Sequence, residues 1–391
     1  MSSPWCRVFL RELRTIFSDR RVLTLMIGGP FLYALAFGGV YYHGRVRQVP
    51  MLVIDQDNSQ LSRELVTAAL ASDSLSLAGY ARNADEFMTA TRRGTAYLAL
   101  VIPQHFQRDL QRGHQGQVLV LADASNILIC NVAYRSIRVV LSTFRVGART
   151  KRLLAQGIPS GVVLKSAMPI QAQIRPLSNP ASNYASFILV GLVCIALQQV
   201  TMMGAGICTG LDYEERRRRE LLGAGRRPVT VLLGKVAAHA VVMTTLGLVA
   251  IYLPFGLFHV SFHGSLPLLL GVTALFIVLQ VLAGLGVGAI CRSPLFAAHL
   301  LLCLSVPFFT VAGVTWPTQA MPHWVQFFSY ALPLTHYTQL ARKLSLMGAL
   351  PAYVLPQVLG IIVWLPVATV WAYLGVRDLL AAGADNSEHN E

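Results

Sequence analysis

The stretch DYEERRRRELLGAGRRPVTVLLGKV, residues 212–236, decides how the chain is read. It holds six arginines and one lysine against four acids. On either side lie long runs, 181–211 and 236–291, with no Asp, Glu, Lys or Arg. Three more such runs occur, at 22–42, 293–341 and 344–376. A helix needs about 20 mostly apolar residues to cross a bilayer. The runs 22–42, 181–211 and 344–376 each hold one span. The run 236–291 holds two, broken near FHVSFHGSLP, and 293–341 holds one span plus a Trp/Pro-rich segment, which makes six. The 391 residues are 54% hydrophobic and 13% charged, with a mean hydropathy of +0.54. A soluble protein this apolar would expose large patches and aggregate, so that class is excluded.

The basic residues orient the spans. Arg7, Arg11, Arg14, Arg20 and Arg21 precede the first span, against Glu12 and Asp19. Arg292 marks a short loop and Arg377 follows the last span. With six spans, these positions and the 212–228 loop all fall on one side, which makes that side and both termini cytoplasmic. The first apolar stretch is span-length and lacks a small-residue cleavage pattern, so it reads as a retained helix rather than a signal peptide. Of the six cysteines only Cys130 lies in the large polar segment, which excludes an intrachain disulfide there.

The expected fold is an α-helical membrane protein: six transmembrane helices with an α+β extracytoplasmic domain, residues 43–178, inserted between helices 1 and 2. Residues 1–21 form a cytoplasmic segment and 22–42 the first helix. Residues 179–376 carry helices 2–6, and 377–391 form a tail whose last nine residues have no expected structure. Within the insert VPMLVIDQDNS, LSLAGYA, TAYLALVIP and GQVLVLADAS read as strands. SRELVTAALASD, NADEFMTATRRG, FQRDLQRG and the long run from residue 126 read as helices, with Asp57, Asn58 and Ser59 as cap candidates. Residues 45–175 hold 14 Arg and 2 Lys against 8 acids, a net of +8, which suits an acidic partner, anionic lipid or merely solvent.

The opening stretch itself encodes a short charged helix, a turn and a new membrane helix. Glu214–Arg218, Glu215–Arg219 and Arg216–Glu220 stand four apart, the spacing of helical ion pairs. Leu221 and Leu222 lead to a glycine stop, and Pro228 suits the start of the next helix. A topology anchor explains the arginines. The acids and the Leu-Leu-Gly ending point further, to a docking surface for a cytoplasmic partner.

Other features exclude alternatives. A phosphate loop needs GxxxxGK[ST]; Gly234-Lys235 is followed by Val236, and no glycine stands five residues before Gly234. No ATP site, nucleic-acid site or metal site is expected in this chain. An ion-coupled carrier needs ionisable groups in its spans, and the apolar runs hold no acid; His239, His299 and His336 come nearest. His259 and His263 in HVSFH have i, i+4 spacing but sit at a span end without a carboxylate, as in an interfacial loop. Gly284 and Gly288, like Gly206 and Gly210, permit close helix packing, within one subunit or across a dimer. Gln198, Gln199 and Thr201 lie deep in the second span, where they either line a path or bond to neighbouring helices. Trp316, Pro317, Pro322 and Trp324 fit an interfacial, broken or re-entrant hairpin over 313–340.

Two blocks resemble the ABC-2 type transporter permeases. YEERRRRELLGAGRRPVTVLLGKV is similar to the family's loop between the second and third spans. VAGVTWPTQAMPHWVQFFSYALPLTHYTQLARKLSLMGA, residues 311–349, is similar to the segment before its final span, with Gly313, Pro317, Pro322 and Pro333 matching. DRRVLTLMIGGPFLYALAFG resembles its first span, and a large insert after that span is typical of bacterial inner-membrane export permeases. The resemblance covers essentially the whole chain. It implies a permease that binds no cofactor itself and pairs with a separate ABC ATPase carrying ATP and Mg. It implies a permease dimer, with a second copy or a paralogue, and allows a periplasmic adaptor. The loop would receive the ATPase's motion through Tyr213, Glu214, Glu215, Arg216, Arg219, Glu220, Leu221 and Leu222. Gly313, Trp316, Pro317 and Pro322 would form an outer gate. The four consecutive arginines depart from the more balanced charge usual at the loop's entry, so an acidic partner surface is expected. The alternatives are a membrane sensor or an ion-coupled carrier with a ligand-binding outer domain.

Overall fold

The computed structural model describes residues 3–40, 46–157, 159, 179, 183–256, 260 and 262–388. The chain divides into two compact units, Met1–Gly44 with Pro176–Glu391, and Arg45–Arg175. The expected insert limits, 43 and 178, and His259 lie outside the described residues.

The first unit opens on a helix that was not anticipated. α1 (Pro4–Ser18) starts on a proline at its first position and buries Val8, Glu12, Thr15 and Ile16, one stripe at helical spacing. Asp19 then caps α2 (Arg20–Leu23) by accepting the Arg21 N–H. A π turn over Thr24–Gly28 leads into α3 (Gly29–Val40), whose second residue is Pro30. A proline lacks the N–H that the preceding turn would bond, and the wider turn accommodates the break.

The Arg45–Arg175 unit is α+β. Its elements are β1 (Val49–Asp55), α4 (Gln60–Leu70), β2 (Leu75–Tyr80), α5 (Ala84–Arg92), β3 (Leu98–Ile102), α6 (Phe106–Arg112), β4 (Leu119–Ala122) and α7 (Ile127–Ala155). All four strands read from the sequence form. Their order is β2-β1-β3-β4; β1 runs parallel to β2 and β3, and β4 antiparallel to β3. The central strand β1 is covered on both faces, which explains its unbroken apolar run. Met51 and Val53 join a core with Leu65 of α4 and Ala133 and Ile137 of α7; Leu52 and Ile54 join another with Phe87 of α5. Of the cap candidates Ser59 performs the role, exchanging bonds with Ser62 at the start of α4.

The first unit resumes with α8 (Tyr184–Leu211), α9 (Glu215–Ala224), α10 (Pro228–Gly256), α11 (Leu266–Cys291) and α12 (Pro294–Val311). After a 3₁₀ turn at Thr318–Ala320 come α13 (His323–Ala331), α14 (Pro333–Met347), α15 (Pro351–Ile362) and α16 (Trp364–Glu388). α8 is apolar all round and buried along nearly its whole length, the signature of a central helix. Its glycines permit the packing. A Cβ on Gly284 or Gly288 of α11 would come within 2.5 Å of the Met202 carbonyl oxygen or 2.4 Å of the Gly206 one. Gly206, Gly284 and Gly288 therefore join α8 to α11 within one chain, while Gly210 meets Ser293 and Pro294 at the start of α12.

Among the described residues, seven helices are long and apolar enough to cross a membrane. Six correspond to the runs read from the sequence; the other is α7, which packs Ala133 and Ile137 on the sheet of its own unit. The last helix continues to Glu388, although residues 383–391 gave no sequence expectation. Ala and Leu in DLLAAGAD carry it on.

Candidate coupling site

The charged stretch folds as α9, with Glu214 at its N-cap position and Glu215 in the first turn, where the helix dipole favours an acid. Arg216 pairs with Glu220 at 3.3 Å and Arg219 with Glu215, both on the exposed side. The third expected pair does not form. Arg218 instead donates to the Ala382 carbonyl oxygen of α16 at 3.2 Å, because its side of α9 faces the chain. Leu221 and Leu222, read from the sequence as part of the docking surface, lie mostly on the inward side. Leu221 and Ala224 are buried and Leu222 is half-buried against the same core, since the apolar side of this short helix faces inward. What α9 presents to solvent is Glu214, Glu215, Arg216, Arg219, Glu220 and Gly223.

Beneath α9 lies an ionic cluster that the sequence reading missed. Arg11 of α1 donates to Asp212 Oδ1 at 2.5 Å and to the Arg217 carbonyl oxygen at 2.9 Å. Lys235 of α10 donates to Glu12 Oε1 at 2.8 Å, and its Nζ stands 2.6 Å from Asp212 Oδ2. The latter is an ion-pair approach without hydrogen-bond geometry, which leaves Asp212 Oδ2 without a directed donor among the described residues. Glu12, Asp212 and Lys235 side chains are all 0% exposed. Two cations and two carboxylates balance, the condition under which buried charge is tolerated. Burial opposes ionisation of Glu12, but Lys235 and the other nearby cations outweigh it and hold its carboxyl well below the usual range. Arg217 adds a second link, with Nη1 3.3 Å from Thr15 Oγ1 and Nη2 3.4 Å from Asp19.

Glycines bring α1 close enough. A Cβ on Gly234 would lie 2.7 Å from Val8, and one on Gly225 would lie 2.9 Å from it. The glycine and lysine of LLGK thus act together: Gly234 admits α1, and Lys235 binds it. On the far side Tyr213 donates its hydroxyl to the Ala289 carbonyl oxygen of α11 at 3.1 Å, and Arg292 lies 5.9 Å from the Tyr213 ring centroid. The segment 212–235 therefore bonds directly to α1, α11 and α16 while joining α8 to α10.

Glu12, Cys208 and His239 also bring three ligand-type atoms within 4.8 Å of one another. Lys235 already supplies the cation on Glu12, and His239 Nδ1 lies 3.0 Å from the Lys235 carbonyl oxygen. The group reads as part of the ionic cluster.

The other sequence candidates lie apart from this site. Gln198 is buried, Thr201 donates to the Leu197 carbonyl oxygen, and Gln199 donates to the Leu301 carbonyl oxygen of α12 at 3.1 Å. The Gln199 bond is interhelical and the Thr201 bond intrahelical. An apolar crevice elsewhere is lined by Val190, Cys194, Phe255, Leu269, Tyr337 and Ser345. In the 313–340 segment Gly313 turns with φ +75°, Pro317 precedes the 3₁₀ turn, and Pro322 precedes α13. Arg342 of α14 holds the turn by donating to the Val314 and Phe187 carbonyl oxygens, both at 3.1 Å. Trp316 and Trp324 are exposed. His263 gives its backbone N–H to the Ser345 carbonyl oxygen, which makes it part of a packed loop.

Long apolar helices packed about α8, with one short charged helix between α8 and α10, define a polytopic membrane protein. Residues 20–374 match the family described as ABC-2 family transporter protein, and the chain belongs to that family. It is 25% identical over 354 residues to the inner membrane transport permease YhhJ of Escherichia coli K12, covering 90% of each chain. It is 21% identical over 371 residues to the probable multidrug ABC transporter permease YbhS of the same organism, covering 93% of this chain and 95% of that one. The corresponding figures for the probable multidrug ABC transporter permease YbhR are 20% over 310 residues, 78% and 79%. Membership implies partnership with an ABC ATPase subunit.

Proposed function

We propose that this chain is the membrane-spanning permease subunit of an ATP-driven exporter in a bacterial inner membrane, with both termini cytoplasmic. The ATPase is a separate subunit that holds ATP and Mg and docks on the outward face of α9. The observation that carries this reading is the bonding around that helix: displacement of segment 212–235 acts on α1 through Arg11 and Lys235, on α11 through Tyr213 and on α16 through Arg218. A push at one exposed charged helix thus reaches several long helices at once, as a coupling element requires. Two permeases, identical or paralogous, act together, and the substrate is amphipathic or hydrophobic. The multidrug names of two relatives accord with such a substrate. A periplasmic adaptor is compatible with the α+β unit. An ion-coupled carrier fits less well, because Glu12 and Asp212 are already balanced by cations.

Reversing charge at Glu214 and Glu215 (Glu214→Arg with Glu215→Arg) alters only exposed side chains. We expect normal insertion with loss of transport and of transport-stimulated ATP hydrolysis. Normal values for both in the double variant would remove the coupling assignment.

A further inference from the structure

The longest helix of the Arg45–Arg175 unit carries a charge distribution that its own fold does not use. α7 holds Arg135, Arg138, Arg145, Arg149, Lys151 and Arg152 and no acid. All six are exposed. Lys151 pairs with Glu64 of α4 at 2.9 Å. Arg135, Arg138, Arg145 and Arg149 have no ion-pair partner among the described residues. At about 100° per residue these four arginines fall within an arc of about 80°, and at 1.5 Å per residue they form a straight row about 21 Å long. The opposite side of the helix, with Ala133 and Ile137, is committed to the sheet core. The row therefore faces away from the unit's interior.

Two apolar side chains extend the row at its N-terminal end. Ile127 is 73% exposed and Tyr134 is 49% exposed, and helical spacing puts both on the arginine side. Arg138 lies over the Tyr134 ring, 5.5 Å from its centroid, which holds the guanidinium against an aromatic face. Exposed Tyr and Arg with an apolar neighbour is the composition that protein interfaces favour. A membrane surface is disfavoured, because an interfacial helix needs its apolar side free to enter lipid and α7 has spent that side on the sheet. A bare polyanion would use the arginines and leave Ile127 and Tyr134 without a role.

We propose that this side of α7 is the docking surface for an acidic protein partner, a helix bearing carboxylates along one side and an apolar residue that meets Tyr134 and Ile127. Guanidinium groups suit carboxylates through bidentate pairing, and a straight row suits a straight helix. The inference stands independently of the coupling reading.

The test uses the full chain in phosphatidylcholine nanodiscs and a labelled helical peptide of about 21 residues, with glutamate at every third or fourth position and leucine near one end. Fluorescence anisotropy at low ionic strength reads its binding. The glutamate peptide should bind at least about tenfold more tightly than its glutamine counterpart. The triple variant Arg138→Ser, Arg145→Ser, Arg149→Ser should abolish that difference, and Tyr134→Ala should weaken binding about threefold or more. Lys151→Ser removes the same kind of charge from another side of α7 and should change binding by less than about twofold. If the triple variant does not yield folded chain, Arg145→Glu alone should weaken binding about tenfold. Equal losses in Lys151→Ser and the triple variant would reduce the row to net charge and overturn the proposal. So would equal binding of both peptides, indifference to Tyr134→Ala, or displacement of the peptide by phosphatidylglycerol vesicles.

Discussion

Glu12→Ala is expected to destabilise the chain by about 3–5 kcal/mol, the range seen when one partner of a buried ion pair is removed. Glu12 and Lys235 are 0% exposed and joined at 2.8 Å, so the change leaves a buried ammonium with only Asp212 to balance both it and Arg11. Thermal unfolding in detergent should show a large fall in midpoint. Glu12→Leu with Lys235→Met removes both charges and leaves Arg11 paired with Asp212, so the double variant should recover most of that loss. The pH dependence has a definite sign. The Glu12 carboxyl titrates below its unfolded value, so its contribution is complete above about pH 4.3 and is lost as pH falls through the lower folded value. A Glu12→Ala variant as stable as the parent would contradict the account of the cluster.

Gly288→Leu should prevent the chain from folding. A Cβ alone at that position would stand 2.4 Å from the Gly206 carbonyl oxygen and 2.8 Å from Thr209 Cβ, so α8 and α11 would have to part. Overpacking against backbone cannot be relieved by a rotamer change, and the loss should reach or exceed the upper end of about 1–3 kcal/mol. Size-exclusion chromatography after solubilisation should show aggregate in place of a monodisperse peak. Gly271→Leu lies in the same α11 with nothing within 4 Å of an added Cβ, and it should behave as the parent does. Equal behaviour of the two variants would contradict the assignment of Gly284 and Gly288 to packing within the chain.

Much of the architecture was legible because its signals are local. The apolar strand runs, the Ser59 cap and the uncharged runs each act within a few residues, and the strands, helices and long apolar segments follow from them. The ionic cluster was illegible for the opposite reason. Glu12 and Lys235 are 223 positions apart, and either alone looks like an ordinary charge near a span. The arginines of the N-terminal segment were read only as topology signals, yet Val8, Glu12, Thr15 and Ile16 already had the spacing of a buried stripe. Glu12 within that stripe marked a buried acid needing a cation. Helix pairing at i, i+4 identified Glu215–Arg219 and Arg216–Glu220 correctly, but it could not know that Arg218 faces α16. The GxxxG motifs were visible as small-residue spacing, whereas their partner within the chain became visible only when α8 met α11.

The central claim is that a separate ATPase drives this chain through α9. It is tested most directly by solubilising the chain from its native membrane, capturing it under conditions that preserve known permease complexes, and identifying what accompanies it by mass spectrometry. The account predicts a co-purifying subunit with a phosphate loop, whose recovery falls in the Glu214→Arg, Glu215→Arg variant. Recovery of the chain without any such ATPase would contradict it.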